Sequence, residues 1–352
     1  MVRLTSRLIP VVVLVAVLGS AAAISQTPAP AKATVLGTGS FTEFVENMDR
    51  SLAFFHDAFG MEVPPLPDTG ERAYNRPNPQ LFTWFDIAGA KERHQSARVT
   101  GTRVTVELME IQNVPHQTMN LRIQDPGNAT LVLMVRDINT ALARAVQAKA
   151  TVETPGGKPV AMADGTRAIL IRDIDRRFIE LRQPPAASVD SNAQAGNIFD
   201  MRLLLTVSDM EETKRAYRNV FGFTVEDEPA NTFTRTLTGV NATEIRRSRI
   251  QAPGSTLWLE LAEFKGIDRI PLRMRIQDRG AARLQLRVQD VDAVVTAVKA
   301  AGLRIATETG VAVPVPPNLK GAVVVDPNNF FLTAYAPCDG CAPTILPATP
   351  AR

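Results

Sequence analysis

The stretch LRIQDPGNATLVLMVRD, residues 121–137, returns 153 residues later as MRIQDRGAARLQLRVQD, residues 274–290. Extended by one residue, to Ile138 and Val291, the two segments match at 10 of 18 positions. The same offset aligns VELMEI (106–111) with LELAEF (259–264). Such self-similarity at a fixed offset indicates that the chain contains a duplicated unit.

Each copy divides again into two similar halves. In one half, RLLLTV (202–207) predicts a strand, and Asp209 is a typical N-cap for the helix that follows. Gly222 predicts the end of that helix, and FTVEDE starts another strand. The other half-copies follow the same order, so we predict four βαβββ modules of about 75 residues each. These modules imply an α+β fold, with modules paired into two domains at 34–184 and 197–337. Each domain would be a curved mixed sheet around a cleft, with helices outside.

The remaining segments lie outside these two domains. Arg3 and Arg7, an apolar run and an Ala-rich site predict a signal peptide at residues 1–23, which implies a secreted or periplasmic protein with no stable membrane insertion after cleavage. We interpret 24–33 as a Pro/Ala spacer, 185–196 as a linker and 338–352 as a C-terminal tail. Cys338 and Cys341 allow a local disulfide. The formal charge is +3, without a Lys/Arg block, which argues against a nucleic-acid partner.

Motifs in all four modules together resemble the vicinal oxygen chelate superfamily, which includes glyoxalase I, bleomycin-resistance proteins, fosfomycin-resistance enzymes and extradiol dioxygenases. They are the first-helix segments MDRSLAFFHDAFGMEV (48–63) and SDMEETKRAYRNVFGFTV (208–225), the VxD-plus-helix segments that begin at VRD (135–137) and VQD (288–290), and the closing strands RDIDRRFIEL (172–181) and VDPNNFFLTA (325–334). The resemblance implies two glyoxalase-like domains. It also implies a cleft whose divalent metal takes ligands from the first and last strands of each module.

Alignment to that pattern gives eight candidate positions. The last-strand positions are Glu107, Glu180, Glu260 and Thr333. The first-strand positions are Ser40, Thr130, Arg202 and Arg283. A slip of one residue in the first strand would turn Glu43 into the cleft in place of Ser40.

In the first domain, Glu107 and Glu180 alternate with apolar neighbours, so we expect both carboxylates to face one cleft. They would bind a divalent metal, with Ser40 and Thr130 at the other aligned positions, or one would act as a general base. Extradiol dioxygenase chemistry is disfavoured because no histidine aligns; His56, His94 and His116 are predicted on a helix or in loops.

In the second domain, Arg202 and Arg283 are expected on either side of Glu260. Guanidinium groups repel a divalent cation and cannot ligate one, so no metal is expected there. Two alternatives stay open. The side chains form an Arg–Glu–Arg cluster that fills the cleft, or they form an anion pocket in which Trp258 stacks on a partner.

Two functions are compatible with these positions. The first is a lyase or isomerase of glyoxalase type that acts on a small carbonyl or hydroxy compound. The second is a non-catalytic module that binds a small-molecule ligand, as bleomycin-resistance relatives do. The repeated RIQD turns are predicted to be structural anchors between modules, with Gly127 and Gly280 supplying the bend.

Overall fold

The structure is a computed structural model that describes residues 33–63, 84–85, 87, 89–188, 196–228, 233–315, 318–339 and 341. The predicted signal peptide lies outside these residues, as do most of the spacer, part of the linker and most of the tail. Cys338 and Cys341, whose pairing the sequence leaves open, form a disulfide. Within the described ranges, no helix has the length and apolar character needed to cross a membrane.

Four modules are present, and the described part of module 1 contains three of the four predicted strands. Module 1 contains β1 (Val35–Phe44), α1 (Met48–Phe59), β2 (Lys91–Arg98) and β3 (Thr105–Gln112). Module 2 contains β4 (Ala129–Val135), α2 (Ile138–Gln147), β5 (Thr151–Val152), β6 (Val160–Ala161), β7 (Arg167–Arg172) and β8 (Phe178–Gln183). Module 3 contains β9 (Ile198–Thr206), α3 (Met210–Asn219), β10 (Thr224–Glu228), α4 (Phe233–Thr238), β11 (Glu244–Gln251) and β12 (Trp258–Lys265). Module 4 contains β13 (Ala282–Val288), α5 (Val291–Ala300), β14 (Arg304–Ile305), β15 (Val313–Val315), β16 (Leu319–Val325) and β17 (Phe331–Pro337).

The helix boundaries follow local chemistry. The Asp209 side chain accepts a hydrogen bond from the Glu212 backbone N–H at 2.8 Å, which confirms this residue as an N-cap. The helix ends three residues before the predicted Gly222, at Asn219. Gly222 has φ +72° and lies in the turn that leads to β10. The prediction was therefore right about the turn and late about the last helical residue.

The modules pair into two mixed sheets, but not in the predicted combination. The first sheet has the order β14-β16-β17-β13-β1-β3-β2 and joins modules 1 and 4 through the antiparallel pair β1–β13. The second sheet has the order β10-β11-β12-β9-β4-β8-β7-β5 and joins modules 2 and 3 through β4–β9. The expectation that modules 1 and 2 share one cleft, and modules 3 and 4 the other, is therefore wrong.

The RIQD turns interlock the two halves of the chain. Arg122 and Arg275 each pair with the aspartate of their own turn, Asp125 at 2.6 Å and Asp278 at 2.8 Å. Asp125 also accepts the backbone N–H of Ile270, while Asp278 accepts that of Gln117. Each turn therefore fixes the segment that precedes the other one, which confirms the predicted anchoring role.

The main apolar core takes one face of both sheets. It includes Phe41 and Leu108 from the first sheet and Leu131 and Leu203 from the second. Because side chains alternate along a strand, Glu107, between core residues Val106 and Leu108, projects from the opposite face. The candidate site residues Glu107 and Glu260 lie on these opposite faces.

Candidate functional site

One group of polar residues, the first-sheet cluster, consists of Thr42, His94, Glu107, Arg283 and Gln285. The register brings its centre together, because Thr42 lies opposite Glu107 on β3 and opposite Arg283 on β13. Arg283 donates from Nη2 to Glu107 Oε2 at 3.0 Å, and both side chains are buried. The same oxygen accepts hydrogen bonds from the Thr42 hydroxyl and from Gln285 Nε2, the latter at 3.1 Å. Glu107 is thus held as a buried carboxylate with an arginine counter-ion.

His94 contacts the other oxygen of Glu107. It lies on β2, and its Nε2 is 2.7 Å from Oε1 while 48% of its side chain is exposed. Burial favours a lower His94 pKa, but the hydrogen bond to Glu107 outweighs it, and the His94 pKa is raised. Burial favours a higher Glu107 pKa, yet His94 and Arg283 hold it well below its usual range. The pair therefore combines an ionised carboxylate with an imidazole that can carry a proton near neutral pH.

Three buried polar atoms beside this cluster have no hydrogen-bond partner among the described residues. They are Arg283 Nη1, Trp84 Nε1 and Thr333 Oγ1. The Arg283 guanidinium carbon lies 5.8 Å from the Trp84 ring centre and 5.1 Å from that of Phe85, within cation–π range. Donors left unpaired in buried surroundings favour a ligand that brings acceptor oxygens.

A second group, the second-sheet cluster, consists of Glu180, Arg182, Arg202, Arg247 and Glu260. Glu260 is 1% exposed and accepts from three guanidinium groups: Arg182 at 2.6 and 2.9 Å, Arg247 at 2.6 Å and Arg202 at 3.1 Å. Arg182 also donates from Nε to Glu180 at 2.7 Å. Burial would raise the pKa of Glu260, but Arg182 and Arg247 hold it well below its usual range.

A cavity of about 720 Å³ lies over this second-sheet cluster. Its lining includes Arg182, Arg202, Arg247 and Arg249, and also carboxylates of Asp164, Asp227 and Glu228. The Nε atoms of Arg202 and Arg247 are buried without a hydrogen-bond partner in the described part of the chain. Trp258 stacks as the sequence suggested, but on Arg249, whose guanidinium carbon is 4.6 Å from the ring centre.

The predicted convergence of Glu107 and Glu180 is wrong, because Glu107 lies on β3 of the first sheet and Glu180 on β8 of the second. Arg202 and Glu260 do meet, as expected. Arg283, however, lies on β13 of the first sheet, where it pairs with Glu107. Thr130 lies in the second sheet, and its hydroxyl accepts from Asn128 at 3.1 Å. Each cleft thus receives one of the two first-strand arginines.

The first-strand assignment of Ser40 is also corrected. An irregularity in β1 between Thr38 and Phe41 shifts the register, so Thr42 takes the position beside Glu107. Ser40 instead lines a separate cavity of about 410 Å³. The alternative residue, Glu43, faces away from Glu107 and is fully buried, with its Oε1 3.3 Å from Arg177 Nε. Burial raises the Glu43 pKa.

Sequence reasoning missed His94, Arg182 and Arg247. The signal for Arg182 was available, since it follows Glu180 by two residues and therefore shares its strand face. On β11, Arg247 and Arg249 lie two residues apart, so their side chains share one face of the strand. His94 was assigned to a loop because KERHQSAR (91–98) has few apolar residues, although it forms the edge strand β2.

Neither cluster has residues that are suited to bind a divalent metal. In the first-sheet cluster, a guanidinium lies 3.0 Å from the carboxylate that a metal would need, and in the second-sheet cluster three guanidiniums surround Glu260. No group of three or more His, Cys, Asp or Glu side chains in the described ranges is arranged to hold a metal ion. A cation beside Glu107 or Glu260 would meet the arginine charge at close range.

Comparison with known proteins agrees with this architecture. The sequence matches the model of the Glyoxalase/Bleomycin resistance protein/Dioxygenase superfamily over residues 38–181 and 201–314. Glyoxalase I from Zea mays shares 16% identity and a TM-score of 0.53, over 86% of this chain and 92% of that one. A protein of Bacillus subtilis subsp. subtilis str. 168 with a provisional dioxygenase assignment shares 11% identity and a TM-score of 0.52, over 89% and 88% of the two chains. No curated protein matches the sequence.

Two mixed sheets built from four modules that each begin with a strand and a helix, with a polar cluster on the face of each sheet away from the core, define a tandem protein of the vicinal oxygen chelate type. Because the family model covers most of the sequence, this chain belongs to the Glyoxalase/Bleomycin resistance protein/Dioxygenase superfamily. At 11 to 16% identity, the structural neighbours show the fold alone.

Proposed function

We propose that this chain is an exported, metal-independent binding protein for a small oxygen-rich acid, such as a 2-hydroxy or 2-oxo acid. The observation that carries the proposal is the pairing of a guanidinium with the glutamate of each cluster: Arg283 with Glu107, and Arg182, Arg202 and Arg247 with Glu260. Export rests on residues 1–23, so the mature chain would begin at Ile24.

The second-sheet cavity supports binding of a carboxylate. Glu260 uses one edge of each of its three arginines. The Nε atoms of Arg202 and Arg247 make no hydrogen bond among the described residues, and Arg247 Nε lies 3.7 Å from Glu228 Oε2. An incoming carboxylate or carbonyl oxygen would satisfy those donors, and guanidinium groups bind such oxygens well. The volume of about 720 Å³ is ample for a small organic acid.

A second candidate function is proton transfer in the first-sheet cluster, and the carrying observation is the His94–Glu107 pair. The buried Glu107 carboxylate orients the imidazole, because its Oε1 lies 2.7 Å from His94 Nε2. About half of the His94 side chain is exposed. The other ring nitrogen would then act on a C–H or O–H of a small carbonyl or hydroxy compound. Arg283 Nη1, Trp84 Nε1 and Thr333 Oγ1 would hold the oxygen of that compound.

One experiment separates the two candidates. The full mature chain is incubated in D2O with a panel of 2-hydroxy and 2-oxo acids, and proton NMR follows both ligand binding and loss of the C–H signal. We expect saturation-transfer signals from a bound acid, and we expect its apparent affinity to fall at least tenfold in Arg202→Gln because the substitution removes the positive charge and three N–H donors. If the cluster is catalytic, C–H exchange occurs in the wild type and disappears in His94→Gln.

The outcomes discriminate clearly. Arg218→Gln, on α3 and absent from the cavity lining, is the charge-matched control and should bind like the wild type. Binding that is equal in the wild type and Arg202→Gln would contradict the second-sheet site. No binding of any acid would contradict the proposed function, and binding without exchange would leave it standing while removing the catalytic candidate.

A further inference from the structure

A different cavity, of about 610 Å³, lies where β14, β16 and β17 of module 4 meet the segment 271–277, and neither Glu107 nor Glu260 lines it. Its apolar lining includes Leu272, Met274, Val325 and Phe331, and three arginines, Arg273, Arg275 and Arg304, border it. Guanidinium groups beside apolar side chains suit a ligand that has both an anionic group and an apolar part.

The charges around this cavity are unbalanced. Arg275 pairs with Asp278 at 2.8 Å, but Arg273 and Arg304 form no ion pair with any carboxylate in the described residues. Arg304 donates to the amide oxygen of Asn329 at 3.2 Å, and desolvation lowers its pKa. The acidic residue in the lining, Asp326, is occupied by the backbone N–H groups of Asn328 and Phe330, each at 2.8 Å. Among the residues that the structure describes, Arg273 and Arg304 therefore have no carboxylate partner.

The duplicated chain supplies an internal comparison. A cavity of about 620 Å³ at the equivalent place in module 2 is lined by Lys149, Thr151, Glu153, Arg172 and Arg176, among others. There Arg172 lies 3.1 Å from Glu153 and over the Phe178 ring, at 3.9 Å from its centre. That cavity therefore contains its own ion pair.

Several positions differ between the two regions at the offset of 153. Glu153 and Arg172 are replaced in module 4 by Ala306 and Val325, and Thr151 and Asn120 by Arg304 and Arg273, while the cations Lys149 and Arg176 are replaced by Gly302 and Asn329. Module 4 therefore lacks the internal Glu–Arg pair, and its cations lie at different positions. Loss of that internal counter-charge favours an anion from solution at Arg273 and Arg304.

We propose that the 610 Å³ cavity of module 4 is a second ligand site, separate from the proposed acid-binding cleft, that binds an organic anion. The anionic group, a phosphate monoester or a carboxylate, is held by Arg273 and Arg304. The apolar part of the ligand packs on Val325, Phe331 and Met274.

Isothermal titration of the full mature chain with phenyl phosphate and with benzoate tests the site, and inorganic phosphate serves as the ligand control. We expect phenyl phosphate, benzoate or both to bind roughly tenfold more tightly than inorganic phosphate, because the apolar ring is buried. Affinity should fall as the salt concentration rises, since the contacts are charged. The stronger of the two organic probes shows which anionic group the site prefers.

Variants place the binding in the structure. Arg273→Gln/Arg304→Gln should weaken the bound probe at least tenfold, and Ala306→Glu, which restores the acid of the module 2 cavity, should do the same without removing an arginine. Arg176→Gln, in the module 2 cavity, is the matched control and should change affinity less than about twofold. Circular dichroism checks that each variant is folded.

The proposal is overturned if neither organic probe binds the wild type more tightly than phosphate. Binding that survives both the double variant and Ala306→Glu also overturns it. If binding is lost in Arg202→Gln and kept in the double variant, the probe occupies the second-sheet cavity instead. That last result would reject the module 4 site and leave the proposed function intact.

Discussion

Glu260→Gln should lower the free energy of unfolding by about 3–5 kcal/mol, the largest effect we expect from a single substitution. Three guanidinium groups converge on this one buried carboxylate, and the glutamine would leave their charges uncompensated. Because Arg182 and Arg247 are themselves largely buried, water can replace little of the lost interaction. Urea unfolding at pH 7 measures the difference.

The matched control is Glu226→Gln in the same sheet. Glu226 also pairs with an arginine, Arg249, at 2.5 Å, but both side chains are about 40% exposed, so the cost should stay below about 1 kcal/mol. The difference between wild type and Glu260→Gln also has a defined pH dependence. Since the folded pKa of Glu260 is depressed, the stabilisation is complete above the ordinary value of 4.5 and is lost as pH falls below it. A loss under 1 kcal/mol at pH 7 would contradict this account.

Arg283→Met should lower the free energy of unfolding by about 3 kcal/mol at pH 7. The substitution keeps much of the side-chain volume but leaves the Glu107 carboxylate buried without its arginine. Thr42, Gln285 and His94 would remain as donors, so the cost should be smaller than at Glu260. Without Arg283 the pKa of Glu107 rises, and the loss should shrink as the pH is lowered and Glu107 takes up a proton.

A double variant tests whether the loss comes from the unpaired charge. Arg283→Met/Glu107→Gln should recover at least half of the lost stability, because no buried ion remains. Arg287→Met, an exposed position on the same strand, should cost less than about 1 kcal/mol. If the double variant is no more stable than Arg283→Met, the Glu107–Arg283 pair does not carry the effect.

Much of the fold was predictable from the sequence because it depends on local patterns. Period-two alternation placed Glu107 and Glu180 on the face opposite the core, and Asp209 marked a helix start. The repeated RIQD turns identified the junctions between modules. These features involve residues close in sequence, or identical residues at a fixed offset, so a single chain contains the information.

Module pairing was not predictable in the same way. Strands β1, β4 and β13 all contribute buried apolar residues to the core, so apolar content alone does not decide whether β1 pairs with β4 or with β13. The choice depends on how the segments 113–128 and 266–281 cross, and their hydrogen bonds join residues about 145 to 160 positions apart. Module pairing decides which residues share a cleft. The incorrect pairing of modules 1 and 2 therefore led to the incorrect prediction that Glu107 and Glu180 converge.

The corrected module pairing changes the roles assigned to Thr130 and Arg283. The sequence suggested that Thr130 leaves one cleft open to a cation and that Arg283 closes the other. In the structure Arg283 lies beside Glu107, while Thr130 shares its sheet with Arg202 and Glu260. Each cluster therefore pairs a glutamate with at least one arginine.

The most direct test of metal independence is elemental analysis of the purified full mature chain, together with thermal unfolding in the presence and absence of EDTA. We predict less than about 0.1 equivalent of any divalent transition metal, and an unfolding midpoint that EDTA does not change. Glu107→Gln should give the same metal content as the wild type. About one equivalent of metal, lost in Glu107→Gln and accompanied by a lower midpoint in EDTA, would contradict the account.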